Sequence, residues 1–433
     1  MNGKKFIFPL LFGAALWASG VVAAVAAGLP DAVGDTPAFL RIVTQRLCPV
    51  AIPDPAEIAR RLPGVSVGAV KAMAIGGKTI GWRATVRLTG GELRIRQQSG
   101  RTFAVEFYRT IDKGALRPEM TARADRDCRI VNGRRLRYDA SGRRDVLEHY
   151  GPDLADVEQV EPLNPPMPAG RGRSGVLVAL FDAGLNYTLP EFSTRLARAP
   201  NGRPLGFDFW EMDARPYDGN PARSPFYPIR HGTPVASVLI REAPDIRLLP
   251  YRYPRPDMKR MGNMVRAADA NGARIVSMPM GSNRRDHWET FLAAARERPH
   301  MLFIVSAGND GRNIDDVPVF PASASLDNMI VVTSSTAFGR LAQGSNWGPQ
   351  SVDIMVPAEN VDVIDFRGAA GKASGSSYAV PRVAALAARL SRRHPQWTAS
   401  DLKRAILDRA RPSPYQRRPA VRYGWIANPA DDG

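Results

Sequence analysis

Among the five histidines of the 433-residue chain, one stands in a setting suited to catalysis. Ile229-Arg230-His231-Gly232-Thr233-Pro234-Val235-Ala236 puts His231 just before a helical pattern whose first residues are small. His149, His287, His300 and His394 have mostly polar or arginine-rich neighbours and read as surface residues. Upstream, the apolar run Val176-Leu177-Val178-Ala179-Leu180-Phe181 ends in Asp182. A carboxylate at the end of a buried strand needs a partner, because burying an unpaired charge is costly. Far downstream, Ala373-Ser374-Gly375-Ser376-Ser377-Tyr378 leads small residues into a serine, and a helical pattern follows through Val383, Ala384, Leu386, Ala387 and Leu390. Ser377 would stand at the positive end of a helix dipole, where backbone N–H groups can stabilise an oxyanion. Pro381 reads as part of the first turn, where its missing N–H costs little. A neutral serine needs a base within reach, and the base needs an orienting carboxylate. Asp182, His231 and Ser377 supply those three groups. Their order differs from the Ser…Asp…His of α/β-hydrolases, and Gly375–Ala379 lacks the last glycine of that family's elbow.

Side chains so far apart in sequence need a sheet that gathers them at one edge. Short apolar runs at 176–181, 247–251, 274–278, 301–305 and 329–332 read as buried strands. Helical patterns at 233–241, 261–270, 287–298 and 378–392 fall between or after them. This alternation predicts an α/β domain over 176–430, a doubly wound, mainly parallel sheet with helices on both faces. Working groups in such sheets gather at the carboxyl ends of the strands, where Asp182 sits.

Residues 28–161 have a different texture and read as a smaller β-rich α+β domain without a catalytic constellation. Asp54 and Pro55 open a short helix as cap and first residue. Ile80, Trp82, Ala84, Val86 and Leu88 then alternate with mostly polar neighbours, Gly90-Gly91 turns the chain, and Leu93, Ile95, Phe103, Val105 and Phe107 continue the period of two. This is a meander with one apolar face, its second strand ending at Gly100. A further strand pair is expected at 134–138 and 144–149. Residues 162–175 form a Pro/Gly/Arg linker, its Pro-rich half extended and its Gly/Arg half exposed, that is either cut by a protease or kept as a tether. By position alone, 28–161 is a pro-segment or a permanent binding domain. Residues 1–27, with Lys4, Lys5, an apolar run and Ala24-Val25-Ala26, carry the pattern of an export signal. Left uncleaved, that run is just long enough to anchor the chain in a membrane. The expected location is therefore periplasmic or secreted, or membrane-anchored. In an oxidising compartment Cys48 and Cys128 either form one disulfide or remain free thiols.

Asp182-Ala183-Gly184, His231-Gly232-Thr233-x-Val235-Ala236 and Gly375-Ser376-Ser377-x-Ala379-x-Pro381 resemble the three signature blocks of subtilisin-like serine proteases, whose order is Asp…His…Ser. Phe303-Ile304-Val305-Ser306-Ala307-Gly308-Asn309-Asp310-Gly311 resembles the segment that carries the family's oxyanion-hole asparagine, which falls on Asn309. Further stretches that look like family motifs, up to Gly424-Trp425-Ile426-Ala427-Asn428, extend the resemblance over about 175–429. It implies peptide-bond hydrolysis through an acyl-enzyme on Ser377, with His231 as base and then acid and Asp182 orienting it. It also implies an oxyanion held by Asn309 and the Ser377 N–H, and substrate contacts at Met280, Gly281, Ala307 and Gly308. The chain departs from the family pattern at Ala183, Ser376 and Tyr378. At Pro279, in the segment expected to pair with substrate, proline cannot donate a ladder bond. Residues 202–227 are a proline-rich insertion that either rims the cleft or decorates the surface. No cofactor is required by this reading. Calcium, common in the family, stays open, because Asp213 and Asp218 lack calcium-loop spacing.

The formal net charge is +17, carried mostly by arginines spread along the chain. No basic run is interleaved with aromatics, so no specific nucleic acid is expected, and polypeptide substrates are what the resemblance implies. The leading reading is an exported serine endopeptidase. The alternative, kept open by Ala183 and Pro279, is a catalytically impaired subtilisin-like protein that binds peptides or acts as a scaffold.

Overall fold

A computed structural model describes residues 31–431 apart from Gly76, residues 99–101, Arg171 and residues 416–417. The export signal read at 1–27 and the strand end read at Gly100 lie outside the described residues. Among the described residues no helix is long and apolar enough to cross a membrane. The chain divides into two units, 31–117 with 122–131 and 118–121 with 132–431.

In the first unit, Asp35 caps the helix Thr36–Leu47 by accepting the Ala38 N–H at 3.0 Å. This helix is an addition to the elements expected from sequence, although its cap, Pro37 and the spacing of Phe39, Leu40, Val43 and Leu47 announce it. Asp54 caps Pro55–Arg61 as expected, accepting the Glu57 N–H at 2.7 Å. Strands Lys78–Leu88, Gly91–Gln98 and Thr102–Thr110 form the antiparallel meander. The register sets Val86 opposite Leu93 and Leu93 opposite Phe107, so the period of two becomes a single buried face. Phe39 of the first helix meets Phe107 edge-on at 6.2 Å between ring centroids.

Cys48 and Cys128 form a disulfide across 80 residues of sequence. A cross-link over so long a loop removes much of the freedom of the unfolded chain. Replacing both cysteines by serine is expected to lower the stability of this unit by about 2–4 kcal/mol. A thermal midpoint unchanged from that of the oxidised wild type would refute it.

In the second unit an eight-stranded sheet runs in the order Phe207–Asp208, Arg247–Arg252, Leu177–Asp182, Ile275–Met278, Leu302–Ser306, Met329–Ser335, Ile354–Pro357, Gly424–Trp425. Every neighbouring pair is parallel. Alternate residues of each strand enter opposite cores. Val178, Leu180, Ile304 and Val332 pack with the helices Gly232–Glu242, Ser376–Arg393 and Ala399–Leu407. Ala179, Phe181, Phe303 and Val331 pack with Met261–Ala270 and Glu289–Arg296. The doubly wound sheet is therefore covered on both faces. Arg247–Arg252 lies on one side of Leu177–Asp182, and Ile275–Met278, the next strand of the sheet in the chain, lies on the other. Such a reversal opens a crevice at the carboxyl ends of the strands.

Ile354–Pro357, the hairpin of Val361–Ile364 with Ala370–Ala373, and Ala399–Leu407 are likewise additions to the expected elements. The last of these carries a Thr398–Asp401 capping box. Three antiparallel strands also belong to this unit: Ile130–Tyr138 from Asn132 onward, Arg144–Tyr150 and Val157–Pro162. After them the linker runs across the unit, where the Pro165 carbonyl accepts the Tyr187 hydroxyl at 2.6 Å.

Candidate active site

Asp182 is the last residue of its strand and is buried. His231 is the residue before the first turn of Gly232–Glu242. The imidazole Nδ1 lies 2.7 and 2.9 Å from the two carboxylate oxygens. The carboxylate also accepts the Ala183 N–H at 2.6 Å. Gly232 is required for this approach. A Cβ there would lie 1.8 Å from the Gly184 carbonyl oxygen and 3.2 Å from the Asp182 Cβ.

Ser377 lies in the first turn of Ser376–Arg393, entered through Gly375 at φ 126°. Its hydroxyl donates a long bond of 3.4 Å to the Pro279 carbonyl and is not hydrogen-bonded to His231. The Tyr378 ring faces that of His231 with centroids 6.3 Å apart. Pro381 sits deeper in the helix than the sequence suggested, one turn beyond Ser377. Its missing N–H leaves the Ser377 carbonyl without the usual partner four residues on.

Asn309 is exposed, and its orientation is set by a buried neighbour. Its Oδ1 accepts the Ser376 N–H at 2.8 Å and lies 2.9 Å from the Ser376 hydroxyl. That hydroxyl also lies 2.7 Å from Ser306 Oγ. The Asn309 oxygen is thus occupied, and its amide N–H groups remain available as donors. Sequence reasoning marks Ser376 only as a departure from the family pattern, whereas it ties Asn309 to the helix that carries Ser377.

A cleft lies beside the carboxylate–imidazole pair, lined among others by Tyr253, Met258, Pro279, Met280, Gly281 and Trp288. Met280 and Gly281 therefore line it, while Ala307 is buried at the end of Leu302–Ser306 and Gly308 follows it with φ 99°. The strand Ile275–Met278 ends before Pro279, and the Met280 N–H turns back onto the Met278 carbonyl at 2.9 Å. From the insertion at 202–227, Asp208 forms a buried ion pair with Arg252 at 2.7 Å. Asp213 accepts the Asn164 amide at 2.8 Å, and Asp218 accepts the Thr233 hydroxyl at 2.6 Å. Among the described residues no cluster of three or more His, Cys, Asp or Glu is arranged to hold a metal ion.

Residues 173–425, more than half of the chain, match the Subtilase family. The chain is a subtilase. It is 28% identical over 239 residues to a thermophilic serine proteinase of Bacillus sp. (strain AK1), covering 51% of this chain and 53% of that protein. It is 26% identical over 271 residues to alkaline serine exoprotease A of Vibrio alginolyticus, covering 60% of this chain and 46% of that protein. The subtilase thus spans about half the length of these relatives. A solved cold-adapted subtilisin-like serine proteinase aligns at a TM-score of 0.48 with 20% identity, covering 62% of this chain and 94% of that one. Membership of a serine protease family agrees with the sequence blocks and with the doubly wound parallel sheet.

Proposed function

We propose that this subtilase is an exported serine endopeptidase that cleaves polypeptides through an acyl-enzyme on Ser377. The observation that carries the reading is the Asp182–His231 pair, bonded at 2.7 Å where the strand order reverses. The Ser377 hydroxyl leaves its weak contact with Pro279 and gives its proton to His231 Nε2 while Oγ attacks the scissile carbonyl carbon. Asn309 Nδ2 and the Ser377 N–H donate to the oxyanion. As the intermediate collapses, the C–N bond breaks and His231 returns the proton to the leaving amine. Water, activated by the same imidazole, then attacks the ester and frees Ser377. Asp182 holds Nδ1–H and stabilises the charge that forms on the ring. No cofactor enters these steps. The cleft at Met280 and Gly281 would receive residues of the substrate. Export rests on the residue pattern of 1–27, and N-terminal sequencing of the mature protein tests it.

A fluorophosphonate probe is expected to label wild type on Ser377 and to leave Ser377→Ala unlabelled. An unlabelled wild type would favour the impaired, peptide-binding alternative.

Burial pulls the His231 pKa down, but the charge and hydrogen bond of Asp182, with a contribution from Asp218, carry it above the ordinary value of 6.5. The base works only when neutral. kcat/KM is therefore expected to fall with acid through a midpoint above 6.5, and Asp182→Asn is expected to move that limb to lower pH. A wild-type midpoint below 6.5 would contradict this electrostatic account.

A further inference from the structure

Asp218 takes no part in the acyl-transfer steps, yet it is a fully buried carboxylate directly behind His231. One oxygen accepts the N–H of His231 at 3.2 Å and that of Gly232 at 3.4 Å. The other accepts the Thr233 N–H at 2.8 Å and the Thr233 hydroxyl at 2.6 Å. These N–H groups belong to the first turn of a helix, where no intrahelical acceptor exists for them. His231 itself offers the helix no side-chain cap. Asp182 thus fixes the ring of His231, and Asp218 fixes its backbone.

Asp218 lies on the insertion, so its own place depends on what holds that loop. The Arg230 guanidinium bonds the Asp218 carbonyl oxygen and pairs with the Glu161 carboxylate. It also stacks on the Phe366 ring at 3.9 Å. Glu161, from the strand Val157–Pro162, is bonded on its other oxygen to His149 Nε2 at 3.2 Å. The Glu161, Arg230 and His149 side chains are only 14–15% exposed, so solvent screens them little. The tip of the same loop is held from the same segment. Asn132 Oδ1 accepts the Tyr227 hydroxyl at 2.9 Å, and Arg134 donates to the Phe226 carbonyl at 2.9 Å.

We propose that Glu161, Arg230 and Asp218 are positioning residues for His231, and that residues 132–162 are therefore a permanent part of the working enzyme rather than a removable pro-segment. The proposal rests on the reading of His231 as the catalytic base. Removing 132–162 would take away the acid that neutralises Arg230 and both grips on the tip of the loop. The backbone of the histidine would then lose its register against the ring-binding aspartate.

The test uses the full chain, with active sites counted by fluorophosphonate labelling. Glu161→Gln and Asp218→Asn are each expected to lower kcat about tenfold or more with KM within about twofold, since small displacements of a catalytic group cost rates of this order. Glu161→Asp is expected to recover part of the loss. The charges acting on His231 are those of Asp182 and Asp218, with the Tyr378 ring on the side of the Ser377 helix and Tyr253, Arg255 and His287 lining the same cleft. Asp218→Asn should therefore also move the acid limb of kcat/KM to lower pH, which a purely structural role would not do. Intact mass of the labelled wild type is expected to include 132–162, joined or as a fragment that co-elutes. Labelled, active enzyme lacking 132–162 would overturn the proposal, as would variants that match wild type in kcat and in the acid limb. An unlabelled wild type would overturn the protease reading itself.

Discussion

His231→Ala is expected to lower kcat by about five to six orders of magnitude while KM changes no more than a few-fold. In subtilisin, a protease of the same family, deleting the base costs about as much as deleting the whole triad. The reason is cooperative. Without the imidazole the Ser377 hydroxyl keeps, among the described residues, only its long 3.4 Å contact with the Pro279 carbonyl, which is not a base. Asp182 cannot substitute, because it is buried at the strand end and its oxygens face the ring position and the Ala183 N–H. The cleft lining at Met280 and Gly281, proposed to hold substrate, is untouched by the change, so KM should be spared. Single-turnover kinetics on a peptide amide measure the effect. A loss smaller than about a hundredfold would mean that another group acts as the base.

Asn309→Ala is expected to cost about 100- to 1000-fold in kcat, the range found for the corresponding donor of subtilisin. The donor acts on charge that develops only in the transition state, so KM should hardly move. The local geometry sharpens this expectation. Asn309 Oδ1 is held by the N–H of buried Ser376, which turns the amide as a rigid unit toward the start of the Ser377 helix. Ser376→Ala removes the hydroxyl at 2.9 Å but keeps that N–H bond at 2.8 Å. Its loss should therefore be much smaller than that of Asn309→Ala. Equal losses in the two variants would show that the hydroxyl, and not the backbone, sets the amide.

The fold is legible in sequence wherever burial on two faces makes an uninterrupted apolar run, as at 176–181 and 301–305. It is less legible where a strand is short and begins beside polar residues, as at Ile354–Pro357. Helix Thr36–Leu47 has its cap and its periodicity in plain view. The Asp182–His231 pairing can be anticipated because a strand-end carboxylate and a histidine at a helix start each need what the other supplies. Asp218 cannot be singled out in the same way. Its partners are backbone N–H groups thirteen to fifteen residues on, and side-chain chemistry gives no signal of that. The association of Glu161 with Arg230 across 69 residues is equally hidden, since the composition break at 162–175 points to a boundary instead.

The parallel sheet has one more consequence, for the life of the chain on the ribosome. The strand with Asp182 emerges before most of its sheet, but the serine arrives with a helix that follows the Ile354–Pro357 strand. Parallel neighbours so distant in sequence must wait for one another. The nascent polypeptide therefore carries a ring and a carboxylate with nothing to activate until Ser376–Arg393 has been translated and docked. On the proposed mechanism, no serine can be activated before that helix has docked.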